Sequence, residues 1–494
     1  MSAADLARLE FALLAAVHFL FVLVTLGLGP VVAVFSSRWA RAERRGLWQA
    51  PVLERATRFW GQLYLVNYAL GIAAGIVLEL QFGLHFPGLL DVAGEVFGAP
   101  LAIETLGAFF LESTLLGLWV FGWHVIPRRA HALIFWGVVA TGYVSAFTVM
   151  IANGFLRNPV GHELVDTPDG PVATISDPLA LVLNPAAVLS GFHVVGACLM
   201  AGGFLLVAVG AWHLRRGGGA GGPWGGRQPA DIDEDLWRRS MRTGIVTGSI
   251  GALLATGFGY GQFAYITRLD DPGPSGGDVD GPLDIVAAMG LGLMDTVANL
   301  VVLVGIVLLL MLIGNGIFRM RRGVRNALYG ILIALLPVPF VTAVSGWLTR
   351  ELSRQPWVVA GVLRTDEAVS DQPAGAVLAS LLVLVGLMVT LAVVDWSVLA
   401  KLAGRGGDRL VLGAPPDEVL GAETDGDPDA DLLRFADAPA GVGPPAGPGS
   451  SSAVAAPSGA TRPSGVGPSP ELAQSSGPAV RPAPTDPTTP EGAR

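Results

Sequence analysis

Five residues of the kinds that bind metal or carry protons lie within or at the edge of apolar sequence: His18, Glu104, Glu112, His193 and Glu351. Ionisable groups are expensive in lipid, so in such surroundings they mark sites of function. Imidazoles and carboxylates bind metals and move protons, so the set points to proton, metal or electron chemistry. His18 sits in F-A-L-L-A-A-V-H-F-L-F and His193 in N-P-A-A-V-L-S-G-F-H-V-V-G. Position alone leaves each open between a hydrogen-bonded core histidine and a ligand. Their matched depth favours a buried metal or heme. Glu104 and Glu112 share one apolar segment. On a straight α-helix their directions differ by about 80°, so both can face one interior. A desolvated carboxyl there can hold and pass a proton.

Glu351, in R-E-L-S-R-Q-P-W, reads either as a ligand or as an interfacial acid paired with Arg350 or Arg354. Met289 and Met294 lie at a depth comparable with His193. A thioether opposite an imidazole is a low-spin heme pairing that raises the reduction potential. Methionine also commonly fills membrane cores, so that reading stays open. Glu79, Asp295 and Asp395 are further acids in apolar context without an assigned role. His85, His131, His162 and His213 lie near helix ends or in loops and read as ordinary.

The elements that must position these groups are membrane helices. The 494 residues are 52% hydrophobic and 14% charged, and the mean hydropathy is +0.56. That composition describes an all-α polytopic membrane protein and excludes a soluble globule. Apolar stretches fall near 10–35, 58–83, 99–123, 131–153, 183–212, 241–266, 282–314, 325–349 and 373–400, giving about nine spans. Basic residues at Arg38–Arg45, Arg128/Arg129, Arg215/Arg216 with Arg238/Arg239, Arg319–Arg325 and Lys401/Arg405 occupy alternate loops. Those loops are therefore expected in the cytoplasm and the N-terminus outside. The basic cluster follows the first apolar run instead of preceding it, so no cleavable signal peptide is expected. The division expected is a transmembrane domain over 1–404 and a disordered cytoplasmic tail over 405–494, rich in Pro, Gly, Ala and Ser. The Gly-rich run G-G-G-A-G-G-P-W-G-G reads as a flexible linker. Cys198 is the single cysteine, which excludes an intrachain disulfide. No C-x-x-C-H, Walker or dinucleotide motif is present, and no nucleic-acid partner is expected.

Several long motifs in order carry a family resemblance over about residues 5–400. They are R-L-E-F-A-L-L-A-A-V-H-F-L-F at 8–21, F-W-G-Q-L-Y-L-V-N-Y-A-L-G-I-A-A-G at 59–75 and L-E-L-Q-F-G at 78–83. G-A-P-L-A-I-E-T-L-G-A-F-F-L-E-S-T at 98–114, A-N-G-F-L-R-N-P at 152–159, L-N-P-A-A-V-L-S-G-F-H at 183–193 and S-R-Q-P-W-V-V-A-G-V-L-R-T at 353–365 complete them. The chain resembles subunit I of cytochrome bd-type terminal oxidases. The resemblance implies that His18 ligates the oxygen-reacting heme, a heme d or a heme b in its place. It implies that Glu351 ligates a high-spin heme b, and that His193 ligates a low-spin heme b with Met289, which agrees better in depth from the helix start, or with Met294 as the fallback. Glu104 and Glu112 would deliver protons, Arg354 would sit by heme propionates and Trp357 would pack nearby. A bacterial cytoplasmic membrane, a subunit II-like second membrane subunit and in some members a small extra subunit are implied as well.

Two departures stand out. The family's R-x-M element is missing, because 284–296 reads D-I-V-A-A-M-G-L-G-L-M-D-T. The long quinol-binding loop is replaced by about 15 residues around D-D-P-G-P-S-G-G-D-V-D-G, without its Lys/Glu element. The expectation is therefore an oxidase whose donor is a quinol or another redox partner. The alternative is a heme electron-transfer module whose main task is not oxygen reduction. A heme-free transporter or assembly subunit is disfavoured by the joint presence of the five donors.

Overall fold

A computed structural model describes residues 2–414 apart from 169, 217–228, 270–281, 353, 355 and 407–409. The Gly-rich linker, residues 270–281 of the segment expected as a short loop and residues 415–494 of the expected tail lie outside the described residues.

The long apolar runs form α1 (Ala3–Arg44), α2 (Ala50–Leu84), α3 (Pro87–Ala102), α4 (Phe110–Phe121) and α5 (Arg128–Arg157). After a hairpin, β1 (His162–Thr167) with β2 (Gly170–Ile175), come α6 (Pro178–Val182), α7 (Pro185–Arg216), α8 (Pro229–Leu269) and α9 (Pro282–Leu312). Then follow α10 (Gly316–Arg319), α11 (Arg322–Ala334) and α12 (Val338–Leu352). A small hairpin of β3 (Trp357–Val359) and β4 (Leu363–Arg364), then α13 (Thr365–Ala368) and α14 (Ala374–Arg405), complete the described fold. Both hairpins are antiparallel, His162 pairing with Ile175 and Trp357 with Arg364.

Eight segments among the described residues are long and apolar enough to span a membrane: Ala3–Arg44, Ala50–Leu84, Pro87–Phe121, Arg128–Arg157, Pro178–Arg216, Gly292–Leu312, Arg322–Leu352 and Ala374–Arg405. The expected 241–266 span lies in α8, whose Gly, Thr, Ser, Tyr and Gln content dilutes its apolar character. That helix begins at Pro229, so residues 229–240, expected as loop, are already helical.

Small residues set the helix spacing, as is usual where lipid removes the hydrophobic drive for association. A Cβ on Gly27 of α1 would lie 2.3 Å from the Cys198 carbonyl of α7, and one on Gly202 would meet Gly27 backbone. On its other side α7 meets α8 equally closely, since a Cβ on Gly203 would lie 2.4 Å from Gly248 Cα. Helix α7 is therefore held backbone-to-backbone between α1 and α8.

One expectation about the tail is corrected. Residues 410–414 are ordered against α2 although they belong to the stretch read as disordered. Arg58 donates to the carbonyls of Leu410 and Leu412, and Gln62 Oε1 accepts from the amides of Val411 and Leu412. Leu412 is buried beside Gly61. The low-complexity sequence that follows masked this short apolar anchor.

Candidate functional site

The Gly27–Gly202 crossing sets the depth of both candidate histidines. Val22 faces Cys198 and Gly27 faces Gly202, so α1 and α7 run parallel at this point. His18 and His193 each lie nine residues before it (27 − 18 and 202 − 193). Each is therefore displaced by about 13 Å of helix rise toward the same end. His193 rests on Gly259 of α8, where an added Cβ would come 3.0 Å from Nδ1. Its Nδ1 lies 2.7 Å from the Ala255 carbonyl. A carbonyl only accepts, so Nδ1 carries the proton and Nε2 of the neutral ring keeps a lone pair. Metal-binding histidines are oriented in this way. His18 packs over Gly75 of α2, an added Cβ there lying 3.3 Å from Cε1. Its Nδ1 is buried without a hydrogen-bond partner.

The acid pair is built differently from the expectation. A π-helical segment, Ile103–Phe109, interrupts the helix between α3 and α4 and contains Glu104. The phase calculated for a straight α-helix does not hold across it, because a π turn takes an extra residue. The two acids nevertheless reach the same helix. Glu104 accepts from Ser145 Oγ at 3.0 Å, and an added Cβ on Gly142 would lie 3.1 Å from Glu112 Oε1. Their neighbours on α5 are three residues apart, about 4.5 Å of rise. Tyr64 of α2 donates to Glu112 at 3.4 Å, and Tyr64 stacks on Tyr68. Glu112 is buried and Glu104 half-buried. The arrangement is a short row of protonatable groups between α2, α5 and the π turn.

Glu351, Arg354 and Trp357 come together in one cleft, lined also by Arg8, Phe11 and Phe86. Glu351 pairs with Arg354 through Oε2, while its Oε1 is buried without a partner. Of the two arginines considered for Glu351, Arg350 goes elsewhere, donating to Asn153 at 2.7 Å and Gln262 at 3.2 Å. Arg8 donates to the Leu352 carbonyl at 3.0 Å, fixing α1 to the end of α12. The two methionines differ sharply. Met289 is 70% exposed on α9, whereas Met294 is half-buried with Sδ against Gly346 of α12. Arg8, Tyr64, Ser145 and Gly259 were not legible in this role, since each meets its candidate-site neighbour only across helices. The only signal for Arg8 and Tyr64 is a charge or hydroxyl inside a long apolar motif.

The donors suit heme. His193 offers an oriented Nε2, while His18 Nδ1 and Glu351 Oε1 are buried polar atoms lacking partners. Among the described residues no three His, Cys, Asp or Glu side chains gather to hold a bare ion. A porphyrin-bound iron needs only axial ligands from protein, because the macrocycle fills the equatorial positions.

Comparison with known proteins agrees in fold and sequence. A solved bd oxidase chain from Geobacillus thermodenitrificans superposes with a TM-score of 0.67 at 21% identity, covering 82% of this chain and 99% of that one. Cytochrome bd ubiquinol oxidase subunit 1 of Bacillus subtilis is 30% identical over 428 residues, covering 77% of this chain and 89% of its own. Cytochrome bd-II ubiquinol oxidase subunit 1 of Escherichia coli is 39% identical over 214 residues, covering 43% of this chain and 40% of its own. The family described as cytochrome bd terminal oxidase subunit I matches residues 6–270 and 289–407, and the gap covers the segment between α8 and α9 together with the start of α9. On this breadth of agreement, the chain belongs to the cytochrome bd terminal oxidase subunit I family.

Proposed function

We propose that this chain is the heme-bearing subunit of a respiratory oxidase, receiving electrons near the outer face and delivering them to oxygen at a heme d or b held by His18. The observation that carries this reading is the His193 ring, tethered through Nδ1 so that Nε2 is left free to bind iron. When bound, heme supplies the electron-carrying and oxygen-binding iron. The chain's residues supply axial donors, a dry surround and protons. His193 serves a low-spin heme b, and the half-buried Met294 is the better-placed thioether partner. Glu351 serves a high-spin heme b, and Arg354 neutralises charge beside it. Protons are taken from the cytoplasm by Glu112, held in place by Tyr64, and passed to Glu104, held by Ser145. A second membrane subunit completes the complex in the bacterial membrane. Two relatives are called ubiquinol oxidases and a third, from Bacillus subtilis, a putative menaquinol oxidase, so a quinol is the first donor to try.

The unmatched 271–288 segment favours a second reading, an electron-transfer module whose donor is another redox protein. A dithionite-reduced minus oxidised spectrum of the purified complex, repeated with carbon monoxide, separates the two. A high-spin or heme d band that shifts with carbon monoxide supports the oxidase. Low-spin heme b signals that ignore carbon monoxide support the module.

A further inference from the structure

Glu10, which no motif reading singled out, is fully buried at 0% exposure, with Gln81 at 0% and His85 at 1%. Its Oε1 accepts from Gln81 Nε2 and from Ser380 Oγ, both at 2.9 Å. Its Oε2 lies 3.3 Å from His85 Nε2, which is 3.0 Å from Ser380 Oγ. Ser380 spends its one proton on Glu10, so its oxygen accepts from the His85 ring. The cluster ties the ends of α1 and α2 to α14. One residue further along the chain from Glu10, Gln81 and His85 stand Phe11, Phe82 and Phe86. Phe11 packs on Phe82 and on Phe86, each at 5.8 Å between ring centroids, and all three rings line the cleft of Glu351 and Arg354. The polar layer and the aromatic layer are therefore joined through three single peptide links. A buried acid adds little stability over a well-packed apolar group, but Glu10, whose Oε1 is held twice while Oε2 has no hydrogen bond, still joins three helices at one point.

We propose that Glu10 is a positioning residue: with Gln81, His85 and Ser380 it sets the aromatic wall of the Glu351 cleft and thereby the environment of the group bound there. This rests on the functional reading above, which places a high-spin heme in that cleft. The test is carbon monoxide titration of the purified, reduced wild-type complex and of its Glu10→Ala and Glu10→Gln variants, followed at the high-spin heme b band. Glu10→Ala is expected to broaden the high-spin heme b band and weaken the carbon monoxide affinity read at that band about tenfold, as loss of a supporting shell does. The low-spin heme b band should hold its amplitude. Glu10→Gln can still accept from Gln81 and Ser380, and should restore the wild-type titration. A Glu10→Ala complex that titrates like the wild type overturns the proposal. So does a Glu10→Gln complex as impaired as Glu10→Ala, since charge would then be the cause. Should Glu10→Ala fail to assemble, Ser380→Ala and Phe86→Leu decide. A shift of the same band in both supports the proposal, and no shift in either overturns it. A wild-type complex without any band that responds to carbon monoxide sinks the functional reading itself, which separates that failure from this one.

Discussion

The two histidines stand at one depth on parallel helices, yet their supports differ. His193 is gripped between α7 and α8, with its tautomer set by the Ala255 carbonyl and its ring seated on Gly259. His18 lies between α1 and α2 over Gly75, and no hydrogen bond fixes its Nδ1. A tethered imidazole suits a heme that only passes electrons, because ligation there should not change during turnover. An untethered one suits a heme that must bind and release a small molecule, because the ring can follow the iron. The contrast lies in the second helix of each pair, not in the histidine itself.

Replacing each histidine by alanine is the severest test. His18→Ala is expected to abolish oxygen consumption and leave the low-spin heme spectrum largely intact, while His193→Ala should remove the low-spin signal. If both changes erase the same bands, the two sites are not separate. Next in size is Glu351→Ala, which leaves the Arg354 cation in the cleft without its carboxylate. Breaking a buried pair costs about 3–5 kcal/mol, read as thermal stability of the complex, and an unchanged melting profile would show the pair to be inconsequential. Subtler are the glycine seats. Gly259→Ala should cost about 1–3 kcal/mol, because a tethered ring cannot retreat. Gly75→Ala should cost under about 1 kcal/mol, because the His18 ring can turn aside. Equal costs would erase the difference in support. The smallest effect expected is from Gln62→Ala, which removes the acceptor for the 410–414 anchor at about 1 kcal/mol. Faster proteolysis after Arg405 would report it.

Much of this molecule was legible in its sequence. Long apolar runs, basic residues in alternate loops and isolated donors in lipid-compatible segments follow from solvation alone, which each stretch of chain obeys locally. That physics led to an all-α membrane protein and to His18, His193, Glu104, Glu112 and Glu351. Pairing was not legible. The π turn at Ile103–Phe109 depends on how the helix packs, so a phase counted at α-helical spacing missed it. His85 read as ordinary and Glu10 went unmarked because their meaning lies in Ser380, some 370 residues from Glu10 along the chain. Depth, tautomer and cleft were decided by glycine contacts between distant helices and by hydrogen bonds across them. Such contacts depend on which backbones come within a few ångströms of each other, and only the folded bundle brings them there.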